Sequence, residues 1–146
     1  MNRYLILVVA ACIPIAAARA GIVEGDQAFA AGDFERAYTA LLPIARGNSL
    51  AAYYLGVMYM EGMWVGQATE RGIRWLTLGA SRGHAAAQLR LALAYQDGEG
   101  VAQNYPTAAQ WMLESAYGGN ADAQYLLGQY YRDGLGVVQD DRSAYE

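Results

Sequence analysis

The chain of 146 residues contains one cysteine, one histidine and no lysine. A single cysteine cannot form an intramolecular disulfide, and one cysteine with one histidine gives no Cys/His cluster for zinc. The sequence also offers no recognisable Ser-His-Asp arrangement. We therefore predict that the chain has no catalytic residue, no metal site and no cofactor.

Clustered cations are also missing from the sequence. All ten basic residues are arginines, fourteen residues are acidic, and the formal net charge is −4. Nucleic-acid binding depends on clustered cations, so the charge excludes this class of partner. A composition that is 55% hydrophobic and 16% charged is nevertheless that of a folded chain rather than a disordered one.

No apolar run is long enough to cross a membrane, which takes about 20 residues. Residues 1–20 have the form of a signal peptide, because Arg3 precedes an apolar run and Ala18-Arg19-Ala20 matches a signal-peptidase site. We predict cleavage after Ala20 and a periplasmic or secreted protein without a membrane span. The alternative is a lipoprotein signal at Cys12, but the apolar run before Cys12 is very short and continues past it.

What the sequence does contain is an internal repeat of 36 residues. The matching sets are Leu55, Leu91 and Leu127; Tyr59, Tyr95 and Tyr131; Gly62, Gly98 and Gly134; and Val65, Val101 and Val137. Periods of about 20–50 residues indicate stacked units that cannot bury their apolar faces alone. We place the repeats at residues 49–84, 85–120 and 121–146, the last of them incomplete.

Each repeat is predicted to be a pair of helices joined by a glycine loop. In the first helix of repeat one, Leu55 and Tyr59 fall in one stripe of a helix with about 3.6 residues per turn. In the loop of repeat two, Gly98 and Gly100 suit a left-handed helix end followed by a close turn. Repeat one has Trp64 in place of the second glycine.

The starts of the second helices are predicted from cap residues. Asn104 and Asp140 stand where a helix N-cap is expected, and Pro106 fits the first turn that follows Asn104. Repeat one has Ala68 at the cap position, and Thr69 is the predicted substitute.

Residues 21–48 precede the repeats and are predicted to form a helix pair of their own. Its first helix covers residues 23–31, and Gly32 and Asp33 then provide a turn and a helix start. The second helix covers residues 34–46, and Pro43 should bend or end it.

The pattern Ala-x-x-x-Leu-Gly-x-x-Tyr-x-x-Gly-x-Gly-Val, with a following Trp and Ala, resembles the Sel1-like repeat over residues 49–146. This family is related to the tetratricopeptide repeat, which residues 21–48 resemble through Gly32-Asp33-Phe34 and Ala37. The resemblance implies an all-α fold, a right-handed α-solenoid of stacked antiparallel helix pairs. It also implies a non-enzymatic protein-interaction scaffold or regulator of the bacterial cell envelope, with a protein or peptide partner in the concave groove.

One cysteine-rich branch of that family is linked to penicillin binding. A penicillin-recognising enzyme or binding protein of the cell wall is therefore the alternative function. That branch joins its helix pairs with disulfides, and this chain has no corresponding cysteines.

Two polar features have simple structural interpretations. His84 occupies the repeat position of Asn48 and Asn120, which favours a turn residue over a catalytic base or metal ligand. A carboxylate also recurs before each loop glycine, at Glu61, Asp97 and Asp133. Because adjacent helices stand roughly 10 Å apart, one cation cannot bridge two repeats, and we predict capping and solvation instead.

The predicted partner surface lies on the first helices of the repeats. Three positions of each repeat lie opposite the Leu55 stripe on a helical wheel and vary between repeats, and Trp64 adds an aromatic anchor. The predicted partner-binding residues are Tyr53, Val57, Met60, Trp64, Leu89, Leu93, Gln129 and Arg132. The alternative is that these side chains pack between neighbouring helices.

Repeat three stops before most of its second helix, because Trp111 has no equivalent before Glu146. The apolar face around Leu127 and Tyr131 then lacks a cover on one side, whereas solenoids normally need a polar cap. We predict either a fragment of a longer protein or contact of this end with a partner or a second copy of the chain. Self-association through the open C-terminal end follows from the last case.

Overall fold

The computed structural model describes residues 14–140. This part of the chain forms seven α-helices and no strand: α1 Ile15–Ala30, α2 Phe34–Leu41, α3 Ser49–Glu61, α4 Thr69–Ser81, α5 Ala85–Asp97, α6 Tyr105–Tyr117 and α7 Ala121–Asp133. Each helix packs on the next along the chain, which confirms the predicted all-α solenoid. The predictions for residues 1–13, including Cys12, and for residues 141–146 lie outside the described residues.

The 36-residue period corresponds to a repeated helix geometry. Helices α3, α5 and α7 begin 36 residues apart, and so do α4 and α6. The first helices end at Gly62, Gly98 and Gly134, whose φ angles of 69°, 74° and 68° are left-handed as predicted. Glycine has no Cβ to oppose this conformation, so the same local signal ends each first helix.

The core consists of three apolar clusters, and each one joins neighbouring helices. The first lies among α1, α2 and α3, the second among α3, α4 and α5, and the third among α5, α6 and α7. The predicted stripe is buried, since Leu55 is fully covered and Tyr59 nearly so. Because every cluster is shared between adjacent units, each repeat is stabilised by its neighbours, as in other solenoids.

Helices α3 and α4 approach each other closely at a glycine. A Cβ atom on Gly56 would lie 2.7 Å from the side chain of Leu76, which is fully buried. The added Cβ would overlap the Leu76 side chain, so glycine at position 56 permits the close approach of α3 and α4.

The N-terminal helix pair begins earlier than predicted, and its second helix ends before Arg46, at the proline predicted to bend or end it. Helix α1 begins at Ile15 rather than near residue 23, so it includes the predicted cleavage site after Ala20. Its buried residues, Gly25 and Ala28, lie after that site. Helix α2 ends at Leu41, before Pro43, because proline cannot donate the backbone hydrogen bond that would continue the helix.

Cap residues behave as predicted at two of the three testable helix starts. The side chain of Asp33 accepts a hydrogen bond from the backbone N–H of Arg36, and that of Asn104 accepts one from Thr107. The predicted substitute Thr69 is wrong, because Thr69 is already the first residue of α4 and the cap position is held by Ala68, which makes no side-chain bond. Within residues 14–140, no helix is long and apolar enough to span a bilayer.

Candidate functional site

The predicted partner surface is wrong at two of its residues, Val57 and Met60. Val57 is 8% exposed and Met60 is 3% exposed, so neither side chain is available to a partner. Met60 belongs to the second core cluster together with Leu91 and Ala94 of α5. The alternative interpretation, that these side chains pack between helices, is therefore correct for these two residues.

The same helix positions lie where one repeat contacts the next. Tyr53 is half-buried, and its ring stacks on the His84 ring with 4.9 Å between centroids. Gln96, the equivalent of Met60 in repeat two, accepts a 2.9 Å hydrogen bond from the Tyr130 hydroxyl of α7. These positions vary between repeats because each one faces a different neighbour.

The exposure of the remaining predicted residues also depends on the neighbouring repeat. Leu89, Leu93 and Gln129 are half-buried, whereas Arg132 is exposed and bonds to the neighbouring Asp133. Tyr125, which corresponds to Tyr53 and Leu89, is 69% exposed. Exposure rises in repeat three because none of the described residues stacks on the far side of α7.

Trp64 is the predicted residue that the structure places at the surface, with 54% of its area exposed. Its φ angle is 61°, and among residues 14–140 it is the one non-glycine residue with a positive φ. A bulky residue in this region carries a backbone cost of about 1–2 kcal/mol. Strain of this kind is found mainly at functional positions, so Trp64 is the starting point for the candidate site.

The neighbouring repeats explain why tryptophan occurs only in repeat one. A Cβ atom on Gly100 would lie 2.7 Å from Cγ2 of Thr69, and one on Gly136 would lie 2.3 Å from the backbone carbon of Tyr105. In both cases the obstacle is the start of the preceding second helix. The loop of repeat one has room for a side chain, and the other two loops do not.

Trp64 lies in a cluster with Tyr38, Tyr59 and Arg71, which we name the Trp64 cluster. The rings of Tyr38 and Trp64 are 5.2 Å apart, and the hydroxyls of Tyr38 and Tyr59 share a 2.9 Å hydrogen bond. The guanidinium carbon of Arg71 lies 5.2 Å from the centroid of the Tyr59 ring, within range of a cation–π interaction. Helices α2, α3 and α4 and one loop therefore meet in this cluster, in which Trp64 is exposed and Tyr59 is buried.

The cluster is uncharged apart from Arg71. The hydrogen bond with Tyr59, together with burial, raises the pKa of Tyr38 above its ordinary value. Tryptophan, tyrosine and arginine are the residues most often found at the energetic centre of protein interfaces. Sequence reasoning missed Tyr38 and Arg71, because only the stacking of α2 and α4 around α3 brings Tyr38 to Trp64 and Arg71 to Tyr59.

His84, predicted as a turn residue, is the N-cap of α5. Its Nδ1 accepts a 3.2 Å hydrogen bond from the backbone N–H of Ala87, as the Asn48 and Asn120 side chains do at the equivalent positions. Only the neutral imidazole can accept this bond, and burial lowers the pKa of His84 from its ordinary value of 6.5.

This cap should make stability depend on pH. Since the folded-state pKa of His84 is below the unfolded value, the stabilisation is present above about pH 6.5 and is lost as the pH falls through the folded pKa. We expect the protein to lose about 1 kcal/mol of unfolding free energy by this route, the usual contribution of a helix cap. Urea denaturation between pH 5 and pH 8 measures the loss, and His84→Asn is the control because asparagine caps without titrating. Parallel pH profiles for the two proteins would contradict the assignment.

The three recurring carboxylates have separate partners. Glu61 pairs with Arg90 of the next repeat, Asp97 accepts a hydrogen bond from Gln96, and Asp133 accepts from Arg132. Within residues 14–140, no three His, Cys, Asp or Glu side chains come together in a way that suits a metal ion.

Stacked helix pairs with a 36-residue period and glycine-ended first helices define an α-helical repeat protein of the solenoid class. More specifically, the chain belongs to the Sel1 repeat family. The family model, described as Sel1 repeat, matches residues 49–84, 85–120 and 121–146. No curated protein matches the chain.

Several solved structures are similar to this chain, and two crystal structures illustrate the similarity. A Sel1 repeat protein from Oxalobacter formigenes is 29% identical with a TM-score of 0.80, and the match covers 84% of this chain and 51% of that one. The protein c5321, a protective antigen present in uropathogenic Escherichia coli strains displaying an SLR fold, is 30% identical with a TM-score of 0.79. That match covers 87% of this chain and 28% of c5321, so this chain spans about half the length of the first protein and less than a third of the second.

Proposed function

We propose that this chain is an exported scaffold that binds a protein or peptide partner through the Trp64 cluster. Sel1 repeat proteins are generally protein-interaction scaffolds, and their fold is typical of non-catalytic proteins. The proposal adds a location in the cell envelope and a particular surface on the solenoid.

The observation that carries the proposal is the exposed, left-handed Trp64. The residue holds a large aromatic ring at the surface, 54% exposed, in a backbone conformation that glycine adopts in the other repeats. Tyr38 supports the ring from one side, and the Tyr38–Tyr59 hydrogen bond fixes Tyr38. An aromatic group that is already ordered loses little entropy when a partner binds, so it suits the centre of an interface.

Replacing Trp64 with glycine is the direct test. Because the other repeats have glycine at this position, we expect Trp64→Gly to fold normally and to change the unfolding free energy by less than about 1 kcal/mol. We also expect it to weaken partner binding about tenfold or more, as the loss of a central tryptophan usually does. Crosslinking from native envelopes identifies the partner, and calorimetry with the purified partner measures the affinity.

Tyr117→Ala provides the matched control, since Tyr117 is another exposed aromatic residue, 81% exposed, and lies outside the cluster. We expect this variant to bind the partner like the unchanged protein. Equal binding by Trp64→Gly would reject the Trp64 cluster as the interface, and loss of binding by both variants would point to a non-specific aromatic effect.

Export is the second part of the proposal and rests on residues 1–20. Cleavage after Ala20 would remove the first residues of α1 and leave Gly21 to Ala30, with the buried Gly25 and Ala28 still packed on α2. The shortened helix therefore loses the core contact of Ala18 but keeps those of Ile22, Ala28 and Phe29. N-terminal sequencing of the protein recovered from a bacterial periplasm would locate the cleavage site.

A further inference from the structure

A cleft between α4, α5 and α6 shares no residue with the Trp64 cluster. Its volume is about 480 Å³, which is within the range of small-ligand sites. Gln88 of α5 and Gln110, Trp111 and Glu114 of α6 line it. None of these residues has a role in the proposed partner surface.

Gln88 is the unusual residue of this cleft. It is only 5% exposed, and its Nε2 donates a 3.1 Å hydrogen bond to the Ala80 carbonyl oxygen. This bond fixes the amide so that Oε1 is free to accept, yet Oε1 is buried and has no partner among residues 14–140. Buried polar atoms are almost always hydrogen-bonded, so the Gln88 oxygen is an acceptor that lacks its expected hydrogen-bond donor.

Gln124, the equivalent residue of repeat three, shows which part of the Gln88 arrangement is common to the repeats and which part is particular to the cleft. Gln124 also donates from Nε2 to a carbonyl oxygen, that of Ala116, at 3.2 Å. Gln124 is exposed, however, so water can reach its oxygen. The amide–carbonyl bond is therefore part of the repeat, while the buried, unpaired acceptor is particular to the cleft.

The other lining groups favour a cation. Glu114 is exposed and forms no ion pair within the described part of the chain, and Arg82, in the turn that borders the cleft, forms none with it. Trp111 supplies an aromatic surface. A carboxylate, a buried carbonyl-type acceptor and an indole together match a guanidinium, which is planar, always charged and able to donate several N–H bonds while stacking on a ring.

We propose that the Gln88 cleft binds a guanidinium group. Gln88 Oε1 accepts one N–H, the Glu114 carboxylate balances the charge, and the Trp111 ring stacks on the cation. Because Oε1 is covered, a lining side chain must move to admit the ligand, and Gln110 is exposed and free to change rotamer. The guanidinium belongs either to a small molecule or to an arginine of a partner protein, and only the second source rests on the proposed function.

Titration with n-butylguanidinium, followed by NMR of the Trp111 indole N–H and the Gln88 side-chain amide, tests the site. We expect saturable shifts of both signals with a millimolar Kd. We also expect n-butylammonium to bind at least about fivefold more weakly, because it has the same charge and alkyl chain but no planar group of N–H donors. No saturable shift, or equal binding of the two cations, would overturn the proposal.

Three variants connect the binding to the named groups. We expect Glu114→Gln, at an exposed position that tolerates change, to weaken n-butylguanidinium binding about fivefold, and Gln88→Met to weaken it about tenfold. Gln124→Met removes the same amide–carbonyl bond in repeat three, so it should leave the affinity unchanged. Unaltered binding by Glu114→Gln would reject the site even if Gln88→Met failed to fold.

A final comparison distinguishes the two sources of the guanidinium. A short peptide with one central arginine that binds more tightly than n-butylguanidinium indicates a partner side chain, because neighbouring peptide atoms then add contacts. Weaker binding of the peptide indicates a small molecule. Both results depend on NMR signals from this cleft alone, so they are independent of whether Trp64→Gly weakens partner binding.

Discussion

Gly100→Val should lower the unfolding free energy by about 3 kcal/mol. Valine at the φ angle of 70° costs about 1–2 kcal/mol because its Cβ opposes the left-handed backbone. A further cost arises because the new Cβ would lie 2.7 Å from Thr69 Cγ2 and 3.2 Å from Ile73, so two packed side chains must shift. Urea denaturation followed by far-UV circular dichroism measures the sum of both costs.

Gly83→Val separates these two costs. Gly83 has a φ angle of 80° but nothing within 4 Å of an added Cβ, so this variant reports the backbone cost alone. We expect it to be destabilised by about 1–2 kcal/mol, clearly less than Gly100→Val. Equal losses in the two variants would show that the loop of repeat two does not pack against the start of α4.

Met60→Ala should destabilise the protein by about 2–4 kcal/mol, the usual range for removing a buried methionine side chain. Met60 is 3% exposed and packs in the second core cluster with Ile73 and Leu91, so its removal leaves a cavity among three helices. Denaturant titration measures the change. This result would establish that position 60 supports the fold rather than a partner surface.

Arg132→Ala is the matched control, because Arg132 occupies the same repeat position and is exposed. Removing an exposed arginine that bonds to its neighbour Asp133 should change stability by less than about 0.5 kcal/mol. A small loss in Met60→Ala, similar to that of Arg132→Ala, would mean that α5 does not cover position 60.

Several features of this protein were predictable because they depend on the local sequence. The 36-residue period predicts helix starts that recur from α3 to α7, and the loop glycines predict helix ends, since a positive φ is a property of one residue and its neighbours. The prediction of His84 as a turn residue rests in the same way on the repeat position that it shares with Asn48 and Asn120, whereas its N-cap hydrogen bond is seen only in the structure. The family itself is predictable from this spacing of residue types.

The partner surface was not predictable in the same way, because it depends on which helices surround α3. A helical wheel divides a helix into faces but does not show how many of them are covered, and α3 contacts α1, α2 and α4 and shares a core cluster with α5. Val57 and Met60 are therefore buried on the face that the wheel predicts as exposed. Trp64 remains at the surface because its loop borders the N-terminal helix pair rather than another repeat.

The sequence by itself determined a helical repeat protein with ordered glycine loops, because propensity, spacing and left-handed backbone are encoded over a few residues. Only the tertiary structure decided which side chains remain accessible. Tyr38 contacts Trp64 from α2, and Arg71 contacts Tyr59 from α4. The Gln88 oxygen is buried without a partner among the described residues, whereas Gln124 is exposed. Burial of this kind results from contacts between distant segments, and no local pattern encodes it.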